Sequence, residues 1–196
     1  PLQRIDQTNI ETLIAQERYF VLHAPRQTGK TTCLLTLMEH LNQQGRYRAL
    51  YANIEAAQAA REDVATAIRT VCFTIANRAQ TYLQEERLLP QARLMMQDNP
   101  NSALTELLTC WAGISDRPTV LFLDEVDALV GDTLISLLRQ IRAGYAQRPH
   151  AFPISIVLCG VRDVRDYRMQ SPGREVITGG SAFNIKAMSQ RLGNLS

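Results

Sequence analysis

The chain has 196 residues, of which 45% are hydrophobic and 20% charged, with a formal net charge of +2. That length and composition suit one soluble globular domain with a sizeable core and argue against a disordered or fibrous chain. The near-balanced charge speaks neither for nor against a nucleic-acid partner, no apolar run approaches the roughly 20 residues of a membrane span, and no signal peptide is visible.

Residues 5–18 read as a short helix, with Ile5, Ile10, Leu13 and Ile14 on one side. The compact apolar run 19–23, "YFVLH", reads as a buried strand. A helix is expected from Lys30 to about Gln44, because Leu34, Leu37, Met38 and Leu41 recur at helical spacing and Gly45 supplies a stop. "YRALYANI" at 47–54 is a second strand. Helical character returns over about 58–87, with Val64, Ile68, Val71, Ile75 and Tyr82 as the inward stripe. Pro90, Asn99 and Pro100 break that pattern.

Ser102 is placed to cap a further helix that turns Leu104, Leu107, Leu108 and Trp111 inward. "TVLFLDE" at 119–125 is the clearest buried strand. A helix over about 132–146 follows, carrying Leu134, Leu137, Leu138 and Ile141, and then "ISIVLCG" at 154–160 as another buried strand. Residues 161–182 read as loops, and 182–187, "AFNIKA", as a last short strand. Strands alternating with helices mean parallel βαβ units in a sheet covered on both faces. Cys33, Cys72, Cys110 and Cys159 lie far apart in apolar runs and form no C-x-x-C pair, so they read as buried thiols of a reduced, cytoplasmic protein.

Between the first strand and the second helix stands Ala24-Pro25-Arg26-Gln27-Thr28-Gly29-Lys30-Thr31, followed by Thr32. Strand, loop, then helix is the context of a phosphate-binding loop, Gly-x-x-x-x-Gly-Lys-Ser/Thr. Backbone N–H groups of such a loop, and the positive end of the helix dipole, favour phosphate. Lys30 would bring a charge to the β and γ oxygens, and the Thr31 hydroxyl would ligate Mg²⁺. The first glycine is replaced by Ala24. Pro25 pushes the residue before it toward extended backbone, which alanine tolerates.

A second motif lies downstream. "VLFLDEVD" ends a strand in Asp124-Glu125. An Asp there can hold Mg²⁺, and a neighbouring Glu can act as general base for water. Asp127 reads as a helix cap, His23 as a polar strand end and Trp111 as core. Arg162, Arg165 and Arg168 recur every three residues. They could serve as phosphate sensor, inter-subunit finger or nucleic-acid contact, or form a solvated face with Asp163 and Asp166. The solvated face is favoured for Arg165 and Arg168. Arg162 follows a strand end on the nucleotide side and is kept as a catalytic candidate.

These residues resemble the AAA-like branch of the P-loop ATPases. "APRQTGKTT" is similar to that branch's "GPRQ-x-GKT" loop, "LFLDEVDAL" to its Walker B strand, "SIVLCGVRDVRDYR" to its sensor-1 region and "FNIKAMSQRLGNLS" to the passage into its helical lid. The resemblance implies an α/β, three-layer P-loop NTPase fold with a five-stranded parallel sheet in the order 5-1-4-3-2 and helices on both faces. It implies ATP and Mg²⁺ as cofactors. Residues 24–32 would hold the nucleotide, Thr31 and Asp124 the metal, and Glu125, Lys30 and Arg162 would be catalytic. Two departures stand out: Ala24, and Cys159, Gly160 and Arg162 where the family carries a polar sensor.

Residues 1–196 are expected to form one AAA-like core domain of a longer protein, with lid and C-terminal region beyond it. The expected function is Mg²⁺-dependent ATP hydrolysis. The alternative is a slowly hydrolysing, nucleotide-gated switch or scaffold for signalling or DNA transactions. The expected partners are ATP and ADP, further copies of the chain, and a protein or DNA engaged through regions beyond it. No membrane is expected.

Overall fold

The structure, a computed structural model, describes residues 7–23, 29–160 and 188–191. The element order is α1 (Gln7–Ala15), β1 (Phe20–His23), α2 (Lys30–Gln44), β2 (Arg48–Asn53), α3 (Val64–Leu83), α4 (Leu88–Asp98), α5 (Ala103–Ile114), β3 (Thr119–Asp124), α6 (Gly131–Ala143), β4 (Ser155–Gly160) and β5 (Met188–Arg191). The strands pair in parallel, in the order β2-β3-β4-β1-β5. Read from the other direction, the first four strands fall in the expected order 1-4-3-2. β5 runs beside β1. The 182–187 segment expected for a last strand lies outside the described residues, as do the loops expected over 161–182.

Two apolar layers sandwich the sheet, and strand parity assigns each residue to one of them. Phe20, Leu22, Ala49, Tyr51, Val120, Phe122, Val157 and Cys159 face α1 and α2. Val21, Leu50, Ala52, Leu121, Leu123, Ile156 and Leu158 face α3 to α6. β3 and β4 are buried at every position, which explains why both read as unbroken apolar runs rather than alternating ones. Trp111, expected in the core, is 1% exposed.

α2 matches its expected bounds because its punctuation is local. Gly45 takes φ 74°, a left-handed conformation that glycine adopts without a Cβ penalty, and its N–H bonds to Asn42 O. The Asn42 side chain then exchanges two hydrogen bonds with the Ala49 backbone, clamping the helix end to β2.

Elsewhere, expectations are corrected. The helix expected over 58–87 divides into a 3-10 turn, Glu55–Ala60, and α3 from Val64. Asp63 enforces the division: its carboxylate accepts from Thr66 N at 3.0 Å, an N-cap geometry. Tyr82 is not on the inward stripe but 37% exposed; Ala76, Ala79 and Leu83 turn inward instead. Pro90 does not break helicity. It sits in the first turn of α4, where its missing N–H has no partner to lose.

Ser102 occupies the N-cap position of α5 but makes no side-chain cap; its hydroxyl donates to Asn99 O. The helix expected to 146 stops at Ala143 and continues as a 3-10 turn, Tyr145–Gln147. Asp127 caps no α-helix and lies within the 3-10 turn Val126–Ala128. Val130 holds the N-cap position of α6, with Thr133 Oγ1 donating to its carbonyl and accepting from its N–H. Cys33, Cys72 and Cys159 are buried thiols as expected, whereas Cys110 is half-buried.

Candidate functional site

The site forms where the N-terminus of α2 meets the C-terminal end of β3. Strand parity delivers the first acid. Val120 and Phe122 face α2, so Asp124, two further on, faces it too. Asp124 is 0% exposed. Parity alone would send Glu125 to the opposite face with Leu121 and Leu123. The backbone reverses hand instead: Glu125 takes φ 59°, ψ 40°. This left-handed conformation of a non-glycine residue costs on the order of 1–3 kcal/mol. It brings the Glu125 carboxylate to the same side as Asp124.

α2 supplies the cation. Lys30 Nζ lies 2.8 Å from Asp124 Oδ1 and 3.0 Å from Glu125 Oε1. Burial would depress the Lys30 ammonium's pKa, but hydrogen bonds and charge from Asp124, then Glu125, outweigh it and raise it above the ordinary lysine value. Thr31 Oγ1 donates to Asp124 Oδ2 at 3.2 Å. Gly29 stands at the N-cap position with φ 75°, and no side chain caps the helix. Among the described residues, a Cβ built on Gly29 would meet nothing within 4 Å. The first-turn N–H groups of Lys30, Thr31 and Thr32 have no partner within the helix, and they carry the positive end of the helix dipole.

Lys30, Thr31, Asp124 and Glu125 are therefore brought together from two distant parts of the chain, with Lys30 and Glu125 95 positions apart. Thr32 lies in the same helical turn and is exposed. Ala24, Pro25, Arg26, Gln27 and Thr28 lie outside the described residues, as does Arg162. His23 is a strand-end residue, paired with Gly160 of β4 and Arg191 of β5. Cys159, at a candidate sensor position, is 1% exposed on the α2 face. Burial pushes its thiol pKa well up, and the Asp124 carboxylate adds to the effect.

Sequence reasoning missed Tyr51. Its hydroxyl donates to Asp124 Oδ2 at 2.9 Å. Burial, and then the neighbouring Asp124 charge, hold that hydroxyl protonated well above the ordinary phenol range. A signal was present: a tyrosine on the core-facing parity of a strand needs a partner for its O–H.

The AAA domain family model matches residues 14–167 of this sequence. The chain belongs to the AAA domain family. No curated protein matches it in sequence. Among solved structures, Cdc6p from Pyrobaculum aerophilum superposes with a TM-score of 0.57 at 21% identity, covering 97% of this chain and 44% of that one. Drosophila ORC bound to GC-rich DNA and Cdc6 superposes with a TM-score of 0.56 at 11% identity, covering 97% of this chain and 28% of that one. At these identities the likeness is one of fold, and this AAA domain spans less than half of either chain.

The donor set fits the cofactors of a P-loop site. One carboxylate and one hydroxyl, side by side, suit Mg²⁺, which takes one or two protein oxygens and completes its shell with phosphate and water. An uncapped helix start, an open glycine and a buried lysine suit phosphate. Among the described residues, no cluster of three or more His, Cys, Asp and Glu offers an all-protein metal cage. No described helix is long and apolar enough to cross a membrane.

Proposed function

We propose that this AAA domain binds ATP with Mg²⁺ and hydrolyses it. The observation that carries the reading is the convergence of Lys30 and Thr31, at an uncapped helix start, on Asp124 and Glu125, at a strand end. Residues 24–32 hold the phosphates, through backbone N–H groups at every position but Pro25, and Lys30 supplies the charge. Thr31 and Asp124 hold Mg²⁺, which neutralises developing charge on the phosphate oxygens when bound. Glu125 takes a proton from water as the water oxygen attacks the γ-phosphorus; the bond to the bridging oxygen breaks and ADP leaves with the electron pair. Arg162 is kept as the candidate sensor of the γ-phosphate. Steady-state phosphate release tests the reading: many turnovers per minute, dependent on Mg²⁺, support it, and nucleotide binding without any release defeats it.

A second reading is a slowly hydrolysing, nucleotide-gated switch or scaffold. Cys159 favours it, because a buried thiol stands at a position where the family resemblance leads one to expect a polar sensor. In either reading the chain is a cytoplasmic core domain. It works with further copies of itself and with a protein or DNA partner. The DNA-bound Drosophila structure of the same fold makes DNA the first partner to test.

A further inference from the structure

We propose that Tyr51 is a positioning residue for the metal-binding carboxylate, fixing the plane of Asp124 so that the lone pair released when Thr31 or Lys30 turns to metal or phosphate points at Mg²⁺. The inference rests on the assignment of Asp124 as metal ligand.

Asp124 is wholly buried and receives four donors: Lys30 Nζ and Glu125 N on Oδ1, Thr31 Oγ1 and Tyr51 Oη on Oδ2. A carboxylate has about four lone-pair sites, so this arrangement uses all of them. The donors divide by duty. Lys30 and Thr31 also serve phosphate and metal, so their bonds to Asp124 must loosen when they do so. Glu125 N and Tyr51 Oη have no such duty. One grips Oδ1 and the other grips Oδ2. Together they hold a torsion that in aspartate is otherwise broad.

Tyr51 is suited to this because its ring is packed in the core. It is 4% exposed within the layer facing α1 and α2. Its backbone sits in register with Phe122, on the strand that carries Asp124. The hydroxyl is thereby held at a fixed height above the strand end. The side chains of Thr31 and Asn53 also lie beside it. Groups that orient a metal ligand typically change metal affinity about 10–100-fold when removed. The rival account is that the Tyr51 hydroxyl merely satisfies itself on a nearby acid, which predicts a loss of stability and nothing else.

The test is Tyr51→Phe, with binding of a fluorescent ATP analogue measured across a Mg²⁺ titration and again in excess chelator. The Mg²⁺ concentration for half-maximal enhancement should rise about tenfold, while affinity in chelator stays at the wild-type value. Placed on an Asp124→Asn background, Tyr51→Phe should change the Mg²⁺ requirement no further, since it acts through that carboxylate. A folded Tyr51→Phe protein with a wild-type Mg²⁺ requirement overturns the role. If the phenylalanine variant does not fold, Tyr51→Leu is read in the same way. Wild-type protein that binds the analogue in neither condition overturns the ATP reading itself, an outcome visible before any variant is made.

Discussion

The Lys30 ammonium lies 2.8 Å from the Asp124 carboxylate, and the two side chains are 8% and 0% exposed. Lys30 is thus part of the packed interior as well as of the site. Lys30→Ala should abolish ATP binding and also leave a buried carboxylate without its cation. Removing one partner of a buried charged pair costs several kcal/mol in the worst case, and about 1–3 kcal/mol where other donors remain. Asp124 keeps Tyr51, Thr31 and Glu125 N, so the lower range applies. Calorimetry with ATP and a urea titration check both effects; unchanged stability would mean that Asp124 is solvated in solution.

Glu125→Gln should keep nucleotide binding and lose hydrolysis by a factor on the order of 10²–10⁴. The amide oxygen can still accept from Lys30 Nζ, which lies 3.0 Å from Glu125 Oε1, so stability should hold near wild type. Single-turnover hydrolysis beside equilibrium binding separates the two effects. Near wild-type turnover removes Glu125 as the base.

Arg87 grips Glu85 with two hydrogen bonds, Nε to Oε1 at 2.7 Å and Nη2 to Oε2 at 2.6 Å. That grip, more than any other cause, holds the Glu85 carboxyl below its ordinary value of 4.5. A depressed acid stabilises the fold fully above its unfolded pKa and loses that contribution as pH falls through the folded one. Arg87→Met should therefore be less stable than wild type at neutral pH. The gap should begin to narrow below about pH 4.5, where the unfolded-state carboxyl starts to protonate, and close as pH falls through the folded value. Chemical denaturation at pH 7 and pH 3 checks this; a gap that persists undiminished at pH 3 assigns it to packing instead.

Gly144 is fixed by a neighbour rather than by its backbone. A Cβ there would lie 2.1 Å from Cε2 of Phe152, which is fully buried. Gly144→Ala should destabilise by about 1–3 kcal/mol, the usual range for an overpacked core. Thermal unfolding of the variant should show a clear drop in Tm. Pairing it with Phe152→Leu should recover part of the loss, and failure to recover any would place the strain elsewhere.

The sequence by itself determined the parts whose causes are local. α2 ends at Gly45 because one residue must turn left-handed there, and β3 and β4 announced themselves because strands buried on both faces carry no polar residue in their middle. That Lys30 and Thr31 open a helix and Asp124 and Glu125 close a strand was legible from the same local patterning, and the structure brings the four together. The tertiary structure decided what depends on contacts between distant segments. Whether Tyr82 or Ala79 faces inward depends on which helices pack against α3, since several stripes of that helix are apolar enough to serve. Pro90 could start a helix or break one, and only a neighbour for its apolar face selects the first. Glu125 reaches the Asp124 side only because the chain reverses hand after β3, against the parity its sequence position implies. Tyr51 finds Asp124 across 73 positions, through a strand pairing that no local pattern encodes.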